Sequence, residues 1–400
     1  MSMRASDAGT EEADAAAAGP SAGARPAQGR GARGQAEHDG AAFARGSRKL
    51  PVMPQALHDV DIRPHVRNDP WARKLLRRAI TFPILLLLTL VWWAVTPVLW
   101  PVLAIVDLVR RRPLLGIRFH LAIGAILFGQ VWGVLLTGAV WVWSGFGLSW
   151  RRENRGWIWA EGLWASYNAR ALAWAYSQKY IVEGSELLRD GPTILLMRHA
   201  SINDTILPIA LITRPHGVRL RIVLKAELLV VPVVDVMGER VPTAFVHRGS
   251  GNVERELEQV RVLTRDLHPQ ETIMIFPEGT RYTDERRAAI LAKLQAKDPA
   301  AAEAAAQLRH VLPLRLGGTH ALIDGAPHAD LVFCAHTGYE SSAKLADFVR
   351  GALYRGTVRV KFWRVPASQV PTDHAARTAF LHEEWKKVDA WIDEHRAVAN

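Results

Sequence analysis

The 400-residue chain carries one cysteine, Cys334. A lone thiol excludes a disulfide scaffold, a cysteine-ligated zinc site and an iron–sulfur cluster. Neither G-x-S-x-G nor G-x-x-x-x-G-K-[ST] occurs, which argues against an α/β-hydrolase nucleophile elbow and against a P-loop. His310, His320 and His336 lack metal-ligand spacing, so no metal is expected. Cys334 sits in the apolar run 331–335 and reads as a core side chain rather than an acyl-enzyme nucleophile. Charge is missing from two long stretches, 28 residues over 79–106 and 32 over 119–150. Each exceeds the about 20 residues that a membrane-spanning helix needs.

Against these absences stand an apolar content of 49%, too high for a wholly disordered chain, and a net charge of +11. Residues 71–155 hold eleven Lys/Arg against two Asp/Glu, and residues 71–174 hold twelve of the fifteen tryptophans. Tryptophan and arginine at the edges of apolar runs mark a membrane–water interface, so membrane phospholipids rather than nucleic acid are the expected partner. Basic clusters flank both runs: Arg73, Lys74, Arg77 and Arg78; Arg110, Arg111, Arg112 and Arg118; Arg151, Arg152 and Arg155. If each run crosses once, the positive-inside rule places both ends, and the domain that follows, on the cytoplasmic side of an inner membrane. Pro97 and Pro101 leave re-entrant hairpins open as the alternative.

The expected organisation is a disordered tail and linker over 1–70, membrane-anchoring helices over 71–155, a Trp-rich segment over 156–179 and one domain over 180–400. The tail includes a G-x-G-x-x-G at 29–34, but no strand precedes it, so a dinucleotide site is not expected. Segment 156–179 is expected as an amphipathic helix in the membrane interface, with a helix packed on the next domain as the bland alternative. Beyond it, strands are predicted at 193–197, 220–224, 243–247, 272–276, 311–315, 331–336 and 357–364. Helices are predicted at 202–212, 252–267, 285–309 and 375–395. This alternation predicts an α/β fold, a mostly parallel sheet flanked by helices, with sites where strands end and helices begin.

Chemistry gathers at those ends. His199 and Asp204 are five positions apart, which is about 500° on a continuous helix. They can meet only if His199 lies in the strand exit and Asp204 in the first helical turn. The carboxylate then holds one imidazole nitrogen and leaves the other as a general base. Ser201 with Asp204 also reads as a capping box, and the two roles are compatible. After strand 272–276, Pro277 and Gly279 make a turn that presents Glu278, Thr280 and Arg281; a guanidinium fork suits a phosphate. Arg248 and Lys225 are further cations at strand ends. Three cations beside a histidine suggest an anionic substrate next to a base.

Together these residues resemble the glycerophospholipid acyltransferases, the 1-acylglycerol-3-phosphate acyltransferase family. His199 and Asp204 match its H-x4-D motif, and Phe276 to Arg281 match F-P-E-G-T-R without a change. Phe245 to Arg248 look like its F-[IV]-x-R, and Val311-Leu312-Pro313 with Gly317 resemble its last block. The likeness covers about 180–320 and, more loosely, the rest to about 395. The helical insert 283–310 and the tail pattern Glu384-Trp385-Lys386-Lys387-Val388-Asp389 look like the lysocardiolipin-type branch. The chain departs from the motif at Arg198, where the family usually has Asn. The resemblance implies that His199, oriented by Asp204, deprotonates a lysophospholipid hydroxyl for direct attack on acyl-CoA or acyl carrier protein, with no cofactor. It assigns Lys225 or a nearby backbone N–H to the oxyanion, Glu278 to Arg281 to the acceptor's head, and Arg248 to its phosphate. A transacylase, a lipid hydrolase and a non-catalytic lipid-binding protein are the rival readings.

Overall fold

The computed structural model describes residues 69–246, 253–340 and 345–396. The tail and linker read at 1–70 lie almost wholly outside the described residues, as does Arg248. Helices α1 (Trp71–Ala94) and α2 (Thr96–Val109) share the first uncharged run, and α3 (Leu115–Trp143) occupies the second. The break falls at Val95 because Pro97 opens a new helix, while Pro101 is carried inside α2. Helices α1 and α3 are long and apolar enough to cross a membrane; α2, with 14 residues, is shorter than a span.

Helix α4 (Trp150–Tyr176) runs back along α3, with Gly156 against Val140, Gly133 against Trp164 and Gly129 against Asn168. Its Trp157, Trp164, Leu172 and Tyr176 are buried in one cluster with Leu195, Met197, Leu220 and Ile222 of the sheet. The interfacial reading of 156–179 is therefore corrected to the packed helix: these tryptophans fill a protein core, and only Trp159 and Trp174 stand exposed. The basic flank before α1 is also engaged by the domain. Lys74, Arg77 and Arg78 pair with Asp235 and Glu239.

The strands are β1 (Lys179–Glu183), β2 (Thr193–Met197), β3 (Arg219–Lys225), β4 (Thr243–Val246), β5 (Glu271–Ile275), β6 (Asp330–Thr337) and β7 (Thr357–Val365). The later helices are α5 (Pro232–Met237), α6 (Val253–Arg261), α7 (Asp284–Gln295), α8 (Pro299–Ala306), α9 (Leu316–Gly325), α10 (Leu345–Arg350) and α11 (His374–Arg396). One seven-stranded sheet has the order β1-β7-β6-β2-β5-β3-β4. Strands β6, β2, β5, β3 and β4 are parallel; β7 runs antiparallel to β6, and β1 follows β7. The fold is thus the mostly parallel α/β sheet flanked by helices that the strand–helix alternation predicts. Period-two alternation sends Leu195 and Met197 toward α4, and Ile194 and Leu196 toward the cluster of Trp385 and Val388 on α11.

Three local expectations fail for stated reasons. Segment 311–315 forms no strand: Pro313 has no N–H, and the N–H groups of Leu312 and Arg315 bond to Glu278 and to the Pro277 carbonyl. The helix expected at 202–212 breaks into a 3-10 turn, Ile202–Thr205, and a π-helical turn, Ile209–Thr213, on either side of Pro208. The helix expected at 285–309 breaks at Asp298, which caps Ala301 N–H at 3.0 Å while Pro299 opens α8.

Candidate active site

Strand β2 is buried along its whole length and lies at the middle of the sheet, between β6 and β5. The chain leaves it through Arg198 and His199 and turns at Ser201, the extended N-cap of the 3-10 turn. Asp204 is fully buried. Its Oδ2 accepts from Ala200 N–H (2.6 Å) and Ser201 N–H (2.7 Å) and meets His199 Nδ1 at 3.1 Å. The capping box and the His–Asp pair are thus one arrangement, sharing a single carboxylate oxygen. Burial alone would raise the Asp204 carboxyl; His336, His199 and the Ser201 N–H outweigh it and hold the group below its ordinary value. A carboxylate on Nδ1 fixes the tautomer that leaves Nε2 as the acceptor. Nε2 has no hydrogen bond among the described residues, and the side chain is 15% exposed. The ring stacks on Phe276 at 4.2 Å between centroids.

The F-P-E-G-T-R turn follows β5, the parallel neighbour of β2. Glu278 is 1% exposed. Its Oε2 accepts from His199 N–H (2.8 Å) and its Oε1 from Leu312 N–H (3.0 Å). The carboxyl thus bonds two loops together, and the assignment of Glu278 to an acceptor's head is corrected: both oxygens are occupied by backbone. Burial pushes this carboxyl up to about 8 against the Leu312 N–H, Arg198 and the His199 N–H. Helix α11 extends the same support. Asp389 accepts from the N–H groups of Arg309, His310 and Val311, and Trp385 Nε1 donates to Leu312 O at 3.0 Å. The tail pattern 384–389 is therefore a brace for the loop that bonds Glu278.

Gly279 has φ +72°, and a Cβ there would lie 2.6 Å from Arg315 Cδ. The positive φ requires glycine, and the missing Cβ leaves room for the Arg315 side chain. Arg315, an exposed cation, therefore lies over the turn beside Thr280 and Arg281; no sequence motif marked it. Arg281 Nη1 is buried without a hydrogen-bond partner among the described residues. Lys225 ends β3 on the same edge of the sheet, one strand beyond β5, and is exposed. The structure thus joins His199, Asp204 and the 276–281 turn directly, and sets Lys225 further along the edge.

Two more residues complete the setting. Arg198 is fully buried. It donates to the carbonyls of His310 (2.9 Å) and His336 (2.7 Å) and to Glu340 Oε1 (2.5 Å). His336, fully buried on β6, holds Nε2 3.1 Å from Arg198 O and 3.5 Å from Asp204 Oδ1, an oxygen with no hydrogen bond among the described residues. Sequence reading missed Glu340 and the role of His336 because they stand more than a hundred residues from the motif. The Arg-for-Asn departure at 198 was the one visible signal.

A buried carboxylate on Nδ1, an Nε2 without a hydrogen bond among the described residues, and cations on the neighbouring turn lie together at the carboxyl edge of a parallel sheet, an arrangement with the parts that general-base chemistry requires. Residues 179–320, the stretch that holds the H-x4-D and F-P-E-G-T-R motifs, match the model of the family described as Acyltransferase. Among solved structures, the chain is similar to the 1-acyl-sn-glycerophosphate (LPA) acyltransferase, PlsC, from Thermotoga maritima. The two are 17% identical with a TM-score of 0.42, over 66% of this chain and 98% of that one. No curated protein matches.

Proposed function

We propose that this protein is a membrane-bound O-acyltransferase. It moves a fatty acyl group from an acyl thioester, acyl-CoA or acyl carrier protein, to the free glycerol hydroxyl of a lysophospholipid such as 1-acylglycerol-3-phosphate. The observation that carries the reading is the His199–Asp204 pair with its outward Nε2, inside a domain that matches the acyltransferase family. His199 Nε2 takes the hydroxyl proton as the oxygen attacks the thioester carbonyl. The tetrahedral intermediate collapses, the C–S bond breaks, and the imidazolium returns its proton to the departing thiolate. Asp204 stabilises the imidazolium between these steps. Lys225 or a nearby N–H faces the oxyanion, Gly279 lets the turn approach the acceptor, and Thr280 and Arg281, with Arg248, take its phosphate. Helices α1 and α3 anchor the chain at the cytoplasmic face of the membrane. No cofactor is needed.

The test is release of thiol from an acyl thioester, measured with and without lysophosphatidic acid in purified protein. Thiol release that ignores the acceptor, or acyl transfer without any thioester, overturns the proposal. Within that assay, Asp204→Asn keeps the size of the side chain and loses the charge. It is expected to melt only slightly earlier yet lose most of the rate. Ser201→Ala damages the cap alone and is expected to cost about 0.5–2 kcal/mol of stability while keeping much of the rate. Equal rate losses in the two variants would reduce Asp204 to a cap.

A second expectation separates donor from acceptor. Arg281→Lys keeps the charge and loses the fork. The KM for lysophosphatidic acid should rise several-fold, with the thioester KM unchanged. A shift confined to the thioester would place Arg281 on the donor instead.

A further inference from the structure

A groove of about 540 Å³ lies where the start of α3 meets the end of α4, and it shares no lining residue with the His199 site. Leu114, Ile117 and Leu121 form its apolar wall, and Trp174, 72% exposed, stands at its rim. The remaining side-chain chemistry is cationic: the lining includes Arg118 and Arg170 and no carboxylate.

The two arginines are held differently. Arg118 is fixed: its Nη1 donates to Ala175 O (2.7 Å) and Ser177 Oγ (3.1 Å), and its guanidinium lies over the Tyr354 ring at 4.8 Å. Arg170 is half-buried and makes no ion pair or hydrogen bond with any described residue. Its charged neighbour is another cation, Arg214, whose Nη1 is buried and also without a hydrogen-bond partner among the described residues. Burial and Arg214 both act against the charged form of Arg170. A half-buried guanidinium with no carboxylate partner among the described residues, beside a second arginine and a concave wall, favours an anion.

Position specifies the kind of anion. The apolar wall belongs to the first turns of α3, one of the two helices apolar enough to cross a membrane. The exposed ends Leu108 and Val109 of α2 precede it. A tryptophan rim, an apolar wall and arginines at the end of such a helix match the headgroup level of a bilayer.

We propose that this groove binds an anionic phospholipid as a resident, non-substrate lipid. Its phosphate lies between Arg118 and Arg170, and an acyl chain lies along Leu114, Ile117 and Leu121. The proposal does not depend on the acyltransferase mechanism.

The test uses the full chain reconstituted in vesicles of phosphatidylcholine with one fifth phosphatidylglycerol. Native mass spectrometry after extraction counts the retained lipid. The parent is expected to keep one phosphatidylglycerol in preference to phosphatidylcholine. Arg170→Gln is expected to lower its retention about fivefold, the share of one basic group at a membrane surface, with acyl transfer to a soluble short-chain acceptor unchanged. Equal retention by parent and variant, or equal retention of the two lipids, overturns the proposal. Displacement of the lipid by millimolar inorganic phosphate assigns the site to free phosphate and also overturns it. If Arg170→Gln does not fold, the melting temperature of the parent decides. It must rise with phosphatidylglycerol and stay level with phosphatidylcholine and with phosphate.

Discussion

His199→Ala is expected to lower the acyl-transfer rate by a factor on the order of 10² to 10⁴, the usual share of a general base. The argument rests on position more than on residue type. The ring is held at Nδ1 by Asp204 and on one face by Phe276, and the backbone N–H of His199 is held by Glu278, so Nε2 has one direction to face. Those same contacts predict some loss of stability as well, because the imidazole is only 15% exposed and stacks on Phe276. Asp204 keeps its bonds to Ala200 and Ser201 when the ring is gone, so the turn should survive. Initial rates and thermal melts on one preparation give the answer. A folded His199→Ala protein with near-parental rate would remove the base from the mechanism and leave the family likeness without its chemistry.

The largest stability effect is expected at Arg198. Its guanidinium donates to two carbonyls and to Glu340, and Arg198 is wholly buried. Truncating one partner of such a pair strands the other, which costs about 3–5 kcal/mol. Arg198→Met should therefore melt far earlier than the parent, and Arg198→Met with Glu340→Gln should recover a large part of the loss, because no lone charge remains. The pair also has a pH signature. Burial would raise the Glu340 carboxyl, but Arg198 pulls it down to about 2 from an ordinary value of 4.5. A depressed carboxyl stabilises the folded state above the unfolded value, and that stability is lost as pH falls from about 4.5 toward about 2. Unfolding free energy measured across that window should slope in the parent and flatten in the double variant. A parental slope in the double variant would assign the acid sensitivity to another group. Catalysis should suffer as well, since Arg198 sits between β2 and His199.

The fold class was legible because β2, β5 and β6 are short apolar runs ended by Arg198, Pro277 and Gly338, and α11 is a long helix without a break. What escaped was non-local. Strand β1 is five residues with exposed Lys179 and no strong period, and only β7 makes it a strand. Segment 311–315 has the composition of a strand, yet its amides bond to Pro277 and Glu278. The site divided along the same line. The His199–Asp204 pair could be read from a spacing of five, since both its partners and its cap are local. The inward turn of Glu278 could not, because the motif shows a carboxylate and hides the two N–H groups, 34 and 79 residues away, that occupy it. Arg315 was invisible for the same reason: only the folded turn sets it over Gly279.

Helix α4 is packed between α3 and the β-sheet, and its side chains share one cluster with both. A fragment cut to begin at β1, the natural choice for a water-soluble version, would bare Leu195, Met197, Leu220 and Ile222 to solvent at once. Such a fragment should aggregate rather than report on catalysis. A fragment beginning at Trp150 would keep that floor intact but expose the flank of α4 that Val140 and Leu136 now cover. Helices α3 and α4 are then part of what keeps the sheet in shape, and loss of function on cutting them away would report the unfolding of a shared wall.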